Sequence, residues 1–111
     1  MRNMSFALTT AQFRRREKTV TRRLGWANLK PGEIVMGVVK CQGLKKGETV
    51  EKLGPIRILS VTREDLWAMA LSDCAKEGFP HMTTGEFIEM FSKHNKCDDY
   101  ATVTRIEYEY A

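Results

Sequence analysis

The 111-residue chain is 42% apolar and 29% charged, with a formal net charge of +4. That length closes one hydrophobic core against water and leaves too few apolar residues for a second, so a single domain over residues 1–111 is expected. The composition excludes a disordered or low-complexity chain, and no apolar run approaches the roughly 20 residues of a membrane-spanning helix.

The overall charge conceals two electrically opposite halves. Residues 1–63 carry 14 Lys and Arg against 4 Asp and Glu, a balance of +10, whereas residues 64–111 carry 4 against 10, a balance of −6. The basic side is densest between Arg14 and Arg23, where six basic side chains stand against one acid in ten residues. Like charges this close repel one another and favour a polyanionic partner such as a phosphate backbone; a solvated surface offset by the acidic half is the plainer alternative. The three cysteines, Cys41, Cys74 and Cys97, are odd in number and widely spaced, which fits a reducing cytoplasm better than a disulfide framework. Cys74, His81, His94 and Cys97 lack the close pairs that pre-form a zinc site, so neither metal nor cofactor is expected. The arginine-rich, acid-poor start has some transit-peptide character, but Ser5–Leu8 reads as a strand and no signal-peptide apolar region is present, so the N-terminus reads as mature sequence.

Taken in order, the strand at Ser5–Leu8 is followed by Thr9-Thr10, which can cap a short basic helix from Ala11 to Glu17. Thr19-Val20-Thr21 has β-branched character and leads through Gly25-Trp26 to the turn Lys30-Pro31-Gly32-Glu33. Ile34–Val39 is apolar on both faces, the pattern of a buried strand, with Gly37 permitting a close backbone approach. A turn at Gly43 and Lys45–Glu48 precedes a short strand, Thr49–Leu53, and a clearer one at Ile56–Thr62. Helical spacing then predicts a helix capped by Thr62 and Asp65, with Leu66, Trp67, Ala70 and Cys74 on its buried face, ending at Gly78 and Pro80. Thr83 and Glu86 form a capping box for a second helix, with Phe87, Ile88, Met90 and Phe91 inward. Thr102–Tyr110 alternates as a half-buried antiparallel strand. Helices inserted between strand groups, without βαβ alternation, indicate an α+β domain with a small antiparallel sheet or barrel decorated by helices.

Lys18-Thr19-Val20-Thr21-Arg22-Arg23 is the stretch with most chemistry. On a continuous strand Lys18 and Thr21 face opposite ways, whereas a helix end at Lys18 brings them together. Two arginines beside a desolvated Lys18 lower its pKa and make it a candidate base; an exposed Lys18 beside an ordinary strand threonine is the alternative. Glu77 stands at a helix C-terminus, where the macrodipole opposes its charge unless the next helix compensates. Trp26, in a loop, fits either packing or base stacking.

The order of strand, short basic helix, Lys18–Arg22, Pro-Gly turn, barrel-like strands and a helix ending in Glu77-Gly78-Phe79 resembles the ASCH domains of the PUA-like superfamily. The family hallmark, Gly-x-Lys-x-x-[Thr/Ser/Glu]-x-Arg, is met by Lys18, Thr21 and Arg23, with Arg16 where glycine is usual. The later segments, Asp73–Phe79, Thr83–Phe91 and Val103–Glu107, look like compact bacteriophage and bacterial members. The resemblance implies a PUA-like antiparallel β-barrel decorated by helices, with a basic cleft that binds RNA, a nucleotide or a modified nucleoside. Some small bacterial relatives hydrolyse the amide of N4-acetylcytidine with a lysine, a threonine and a glutamate, which match Lys18, Thr21 and Glu77 as candidate catalytic residues. Arg15, Arg16, Arg22, Arg23 and Trp26 are the candidate ligand contacts. Other relatives are ribonucleases or binding modules, and an interaction protein gripping an acidic partner is the competing class. No membrane partner is expected, and a monomer is favoured.

Overall fold

A computed structural model describes all residues from Met1 to Ala111. Its five strands are β1 (Asn3–Ser5), β2 (Val20–Arg23), β3 (Ile34–Val38), β4 (Lys52–Asp65) and β5 (Thr102–Tyr110), with helices α1 (Thr10–Arg14), α2 (Ser72–Lys76) and α3 (Thr84–Asn95). The strands form one sheet in the order β1-β3-β4-β5-β2. β1 runs parallel to β3 and every other neighbouring pair is antiparallel. The α+β class holds, but the sheet is mixed, and it stays open with β1 and β2 as its two edges, so the barrel does not close.

Two apolar clusters flank the sheet. Met4, Phe6, Phe13, Val35, Ile58 and Tyr108 belong to the first, and Leu66, Cys74, Phe87, Phe91 and Val103 to the second. Gly37 matters to the first. A Cβ there would lie 2.5 Å from the Phe13 ring, so only glycine lets α1 settle on β3.

The β5 expectation and the Thr83–Glu86 capping box are both realised: Glu86 N donates to Thr83 Oγ1 at 3.1 Å and Thr83 N to Glu86 Oε1 at 2.9 Å. Three expectations need correction. The strand at Ser5–Leu8 is shorter and earlier, since Ala7–Thr9 already turns as a 3₁₀ helix into α1. The helix expected from Thr62 does not form there, because β4 keeps pairing with β5 as far as Asp65 opposite Thr102, and cross-strand hydrogen bonds override the local capping signal. Trp67 consequently lies in a single 3₁₀ turn, 57% exposed, where a core position was expected, while Leu66 alone points inward.

Candidate functional site

The end of α1 decides where Lys18 goes. Arg16 adopts the left-handed conformation, φ 58°, and the chain closes behind it with Arg16 N on Phe13 O at 2.9 Å and Glu17 N on Gln12 O at 3.0 Å. That is the Schellman closure usually built with glycine, so the glycine-like turn survives although arginine occupies it. The Arg16 guanidinium lies 5.2 Å above the Tyr110 ring. Lys18 and Thr19 then run between α2 and β5: Thr19 N donates to Lys76 O at 2.8 Å, and the Tyr110 hydroxyl donates to Lys18 O at 2.5 Å. Because β2 starts only at Val20, strand alternation does not separate Lys18 from Thr21. Both line the same cavity, of about 190 Å³, at the seam between the two apolar clusters.

Glu77 joins them from the C-terminus of α2. The next residue, Gly78, has φ 98°, and a Cβ there would fall 2.8 Å from Gln12 Cγ, while Gln12 Nε2 donates to Gly78 O at 3.2 Å. Docking on α1 thus requires glycine and turns Glu77 inward. Lys18 Nζ donates to Glu77 Oε1 at 2.7 Å and to Glu77 O at 2.9 Å, with both side chains 3% exposed. Arg22 Nη1 holds the other carboxylate oxygen at 2.9 Å. The solvated-acid reading of Glu77 and the exposed-charge reading of Lys18 are therefore excluded.

Arg22 does more than meet Glu77. Its fully buried guanidinium also reaches Glu64 Oε1 at 2.7 Å from Nε and Asp73 Oδ2 at 2.5 Å, and Asp73 in turn accepts from Arg105 Nε at 2.7 Å. Three cations, Lys18, Arg22 and Arg105, thus face three carboxylates, Glu64, Asp73 and Glu77, which compensates the charge that burial would otherwise make costly. The Arg105 hydrogen bonds, followed by those of Arg22, hold Asp73 down at about 2. Desolvation lowers the Lys18 pKa and outweighs the opposing pull of Glu77.

Thr21 Oγ1 accepts from Arg23 Nε at 3.1 Å, so its hydroxyl proton remains to be given away. The opposite wall is apolar, built by Phe79 and by Phe87, Met90 and Phe91 of α3, with His94 and Asn95 at its end.

The other expected ligand residues separate into three groups. Arg23 lines the cavity and has no carboxylate partner. Arg22 lines it as well, with Nε, Nη1 and Nη2 each donating to a carboxylate, so its guanidinium serves to hold Glu77 in place. Arg15, paired with Glu17 at 3.1 Å, and Arg16, on Tyr110, lie outside the cavity. Trp26 is outside too: it packs on the first cluster and is covered by the Arg2 guanidinium at 4.8 Å, which favours packing over base stacking on that face. The dense basic run is therefore largely neutralised. Arg14, Arg15, Lys18 and Arg22 all have carboxylate partners. Sequence reasoning missed Glu64, Asp73 and Arg105; the acid excess after residue 63 was the signal, since those acids are where the buried cations find their partners.

No family model matches the sequence, and no curated protein matches it significantly. Solved structures do. The chain superposes on the ASCH domain of Lactobacillus crispatus with a TM-score of 0.67 at 14% identity, over 97% of this chain and 77% of that one. It superposes on protein EF3133 of Enterococcus faecalis, of the DUF984 family, with a TM-score of 0.63 at 13% identity, over 94% and 70% of the two chains. The chain has an ASCH-type fold.

Proposed function

We propose that this ASCH-type domain binds a nucleoside or nucleotide unit of RNA in the Lys18–Thr21–Glu77 cavity and hydrolyses an N4-acyl amide on cytosine. The observation that carries the reading is the buried 2.7 Å contact of Lys18 with Glu77 in a cavity whose wall includes Thr21.

That contact supplies both partners of an acid–base pair. An ammonium beside a carboxylate and an amine beside a carboxylic acid hold the same number of protons, so moving one proton across 2.7 Å arms Lys18 as base and Glu77 as acid without changing the buried charge. The desolvation that lowers the Lys18 pKa favours this neutral pair, and Arg22 on the second oxygen keeps Glu77 from rotating away. The amine takes the Thr21 proton as Oγ1 bonds to the acyl carbon; the tetrahedral centre collapses, the C–N bond breaks, and Glu77 delivers its proton to the departing exocyclic nitrogen. Glu77, now a carboxylate, takes a proton from water as the water attacks the threonyl ester, the ester C–O bond breaks with the Lys18 ammonium returning its proton to Thr21 Oγ1, and the carboxylic acid is released. Phe79 and the α3 aromatics keep bulk water from the ester.

The test is hydrolysis of N4-acetylcytidine by the full chain, followed by the absorbance change at the cytosine ring. The intact protein should turn over and Thr21→Ala should not, with melting unchanged. Equal rates in the two proteins, or no turnover by either, reject the hydrolase.

A further inference from the structure

Beside the cavity lies a shallower groove bounded by Arg2, Leu24, Gly25, Trp26 and Asn28, and the side chains of Arg23 and Asn95 border both depressions. The two therefore adjoin at Arg23 and Asn95. This guanidinium is the one cation of the cavity without a carboxylate partner: Lys18 and Arg22 are both paired with Glu77. Arg23 is held in place by Nε on Thr21 Oγ1 at 3.1 Å and by the Phe6 ring at 4.9 Å. A half-buried, pre-positioned guanidinium lacking a counter-ion is costly until an anion fills its remaining donors.

The far wall of the groove is also built in advance. Trp26 is fixed at φ 67°, and the planar Arg2 guanidinium lies 4.8 Å above the indole while Glu33 grips its edge at 2.9 Å. A flat guanidinium backed by an aromatic ring presents a second planar face outward, on which a base can stack.

Size separates what enters the cavity from what must lie in the groove. At about 190 Å³ the cavity is smaller than the roughly 300 Å³ from which pockets for whole drug-sized ligands start, so it admits a small group such as a base and leaves sugar and phosphate at its mouth. A free nucleoside would be neutral, would leave Arg23 without an anion and would leave the groove empty.

We propose that the groove is a subsite for the neighbouring nucleotide, so that this protein binds a single-stranded RNA segment in preference to a free nucleoside. One base enters the cavity, the phosphate linking it to the next residue sits on Arg23, and the neighbouring base stacks on the outer face of Arg2 beside Asn28. This rests on the nucleotide reading above and specifies its substrate class.

The experiment compares cytidine, cytidine monophosphate and a cytidine-centred RNA trinucleotide by calorimetric titration of the full chain and of an Arg2→Ala/Asn28→Ala double variant. The trinucleotide should bind the intact protein about tenfold or more tighter than cytidine, the scale of one stacked base. The monophosphate should fall between them. The double variant should erase the trinucleotide's advantage over the monophosphate and leave cytidine binding unchanged. If cytidine binds and the trinucleotide binds no tighter, or if the double variant keeps the full advantage, the subsite is wrong while the cavity reading stands. If none of the three probes binds, both fall.

Discussion

Replacing Asp73 with asparagine tests whether the buried ion network stabilises the fold around the site. Asp73 accepts from Arg105 at 2.7 and 3.2 Å and from Arg22 at 2.5 Å, and these contacts lower its pKa from an ordinary 3.8 to about 2. One pH unit corresponds to about 1.4 kcal/mol, so the native charge is worth roughly 2 kcal/mol at most. Because Arg105 is 18% exposed, solvent screening reduces that to between about 1 and 2 kcal/mol. The sign follows from linkage: a carboxyl depressed in the folded state contributes fully above its unfolded value and loses the contribution as pH falls through its folded value. Asp73→Asn should therefore lower stability at pH 7, equivalent to roughly 5–10 °C in Tm for a chain of this size. The difference should shrink steadily between about pH 4 and pH 2. Urea unfolding of both proteins at several pH values, followed by tryptophan fluorescence, measures it. Equal stability at pH 7, or a deficit that is the same at pH 7 and near pH 2, would refute the network as the origin of the effect.

Three other perturbations probe separate links. Gly37→Ala places a methyl 2.5 Å from Phe13 Cζ, on a ring already wedged against Phe6 at 4.7 Å and Tyr110 at 5.0 Å, and should cost about 1–3 kcal/mol in a thermal melt. Thr83→Ala removes one half of the α3 capping box and should cost about 1 kcal/mol, with Thr83→Ser restoring most of it. Lys18→Met leaves Glu77 on Arg22, so far-ultraviolet circular dichroism should remain native while hydrolysis disappears; in the intact protein the rate should fall as pH rises through the Lys18 pKa, at a value below the ordinary 10.5 because desolvation lowers it, since the Lys18–Glu77 pair then loses the proton that Glu77 must deliver.

Which parts of the molecule the sequence reveals follows from the range of the forces involved. β5 and α3 are legible because alternation and a capping box are local signals that tertiary contacts reinforce. The region from Thr62 to Trp67 is misread because Thr62, Asp65 and Leu66 also suit a helix start, and the choice is made by a partner strand some forty residues away. Lys18, Thr21 and Glu77 were legible as a set only through the family motif. Spacing alone left Lys18 and Thr21 on either the same or opposite sides, and the left-handed turn at Arg16, a residue with no glycine-like signature, decides it.

The charge pattern was the strongest global signal and its plain reading was the least complete. A basic run facing a polyanion and a basic run facing the chain's own acids look identical in composition. Here the buried cations of the basic half find their counter-ions in the acidic half: Lys18 meets Glu77, and Arg22 meets Glu64, Asp73 and Glu77, while Arg57 meets Glu109 at 2.8 Å on the surface. What distinguishes a binding cation is therefore the absence of an internal partner in a position that a ligand can reach. Arg23 meets that condition in the cavity wall, where no carboxylate of the chain forms an ion pair with it. A substitution at Arg22 should disturb the geometry of Glu77 through a structural ion pair, whereas under the proposed reading one at Arg23 should weaken ligand binding directly, although the two residues are adjacent and identical in type.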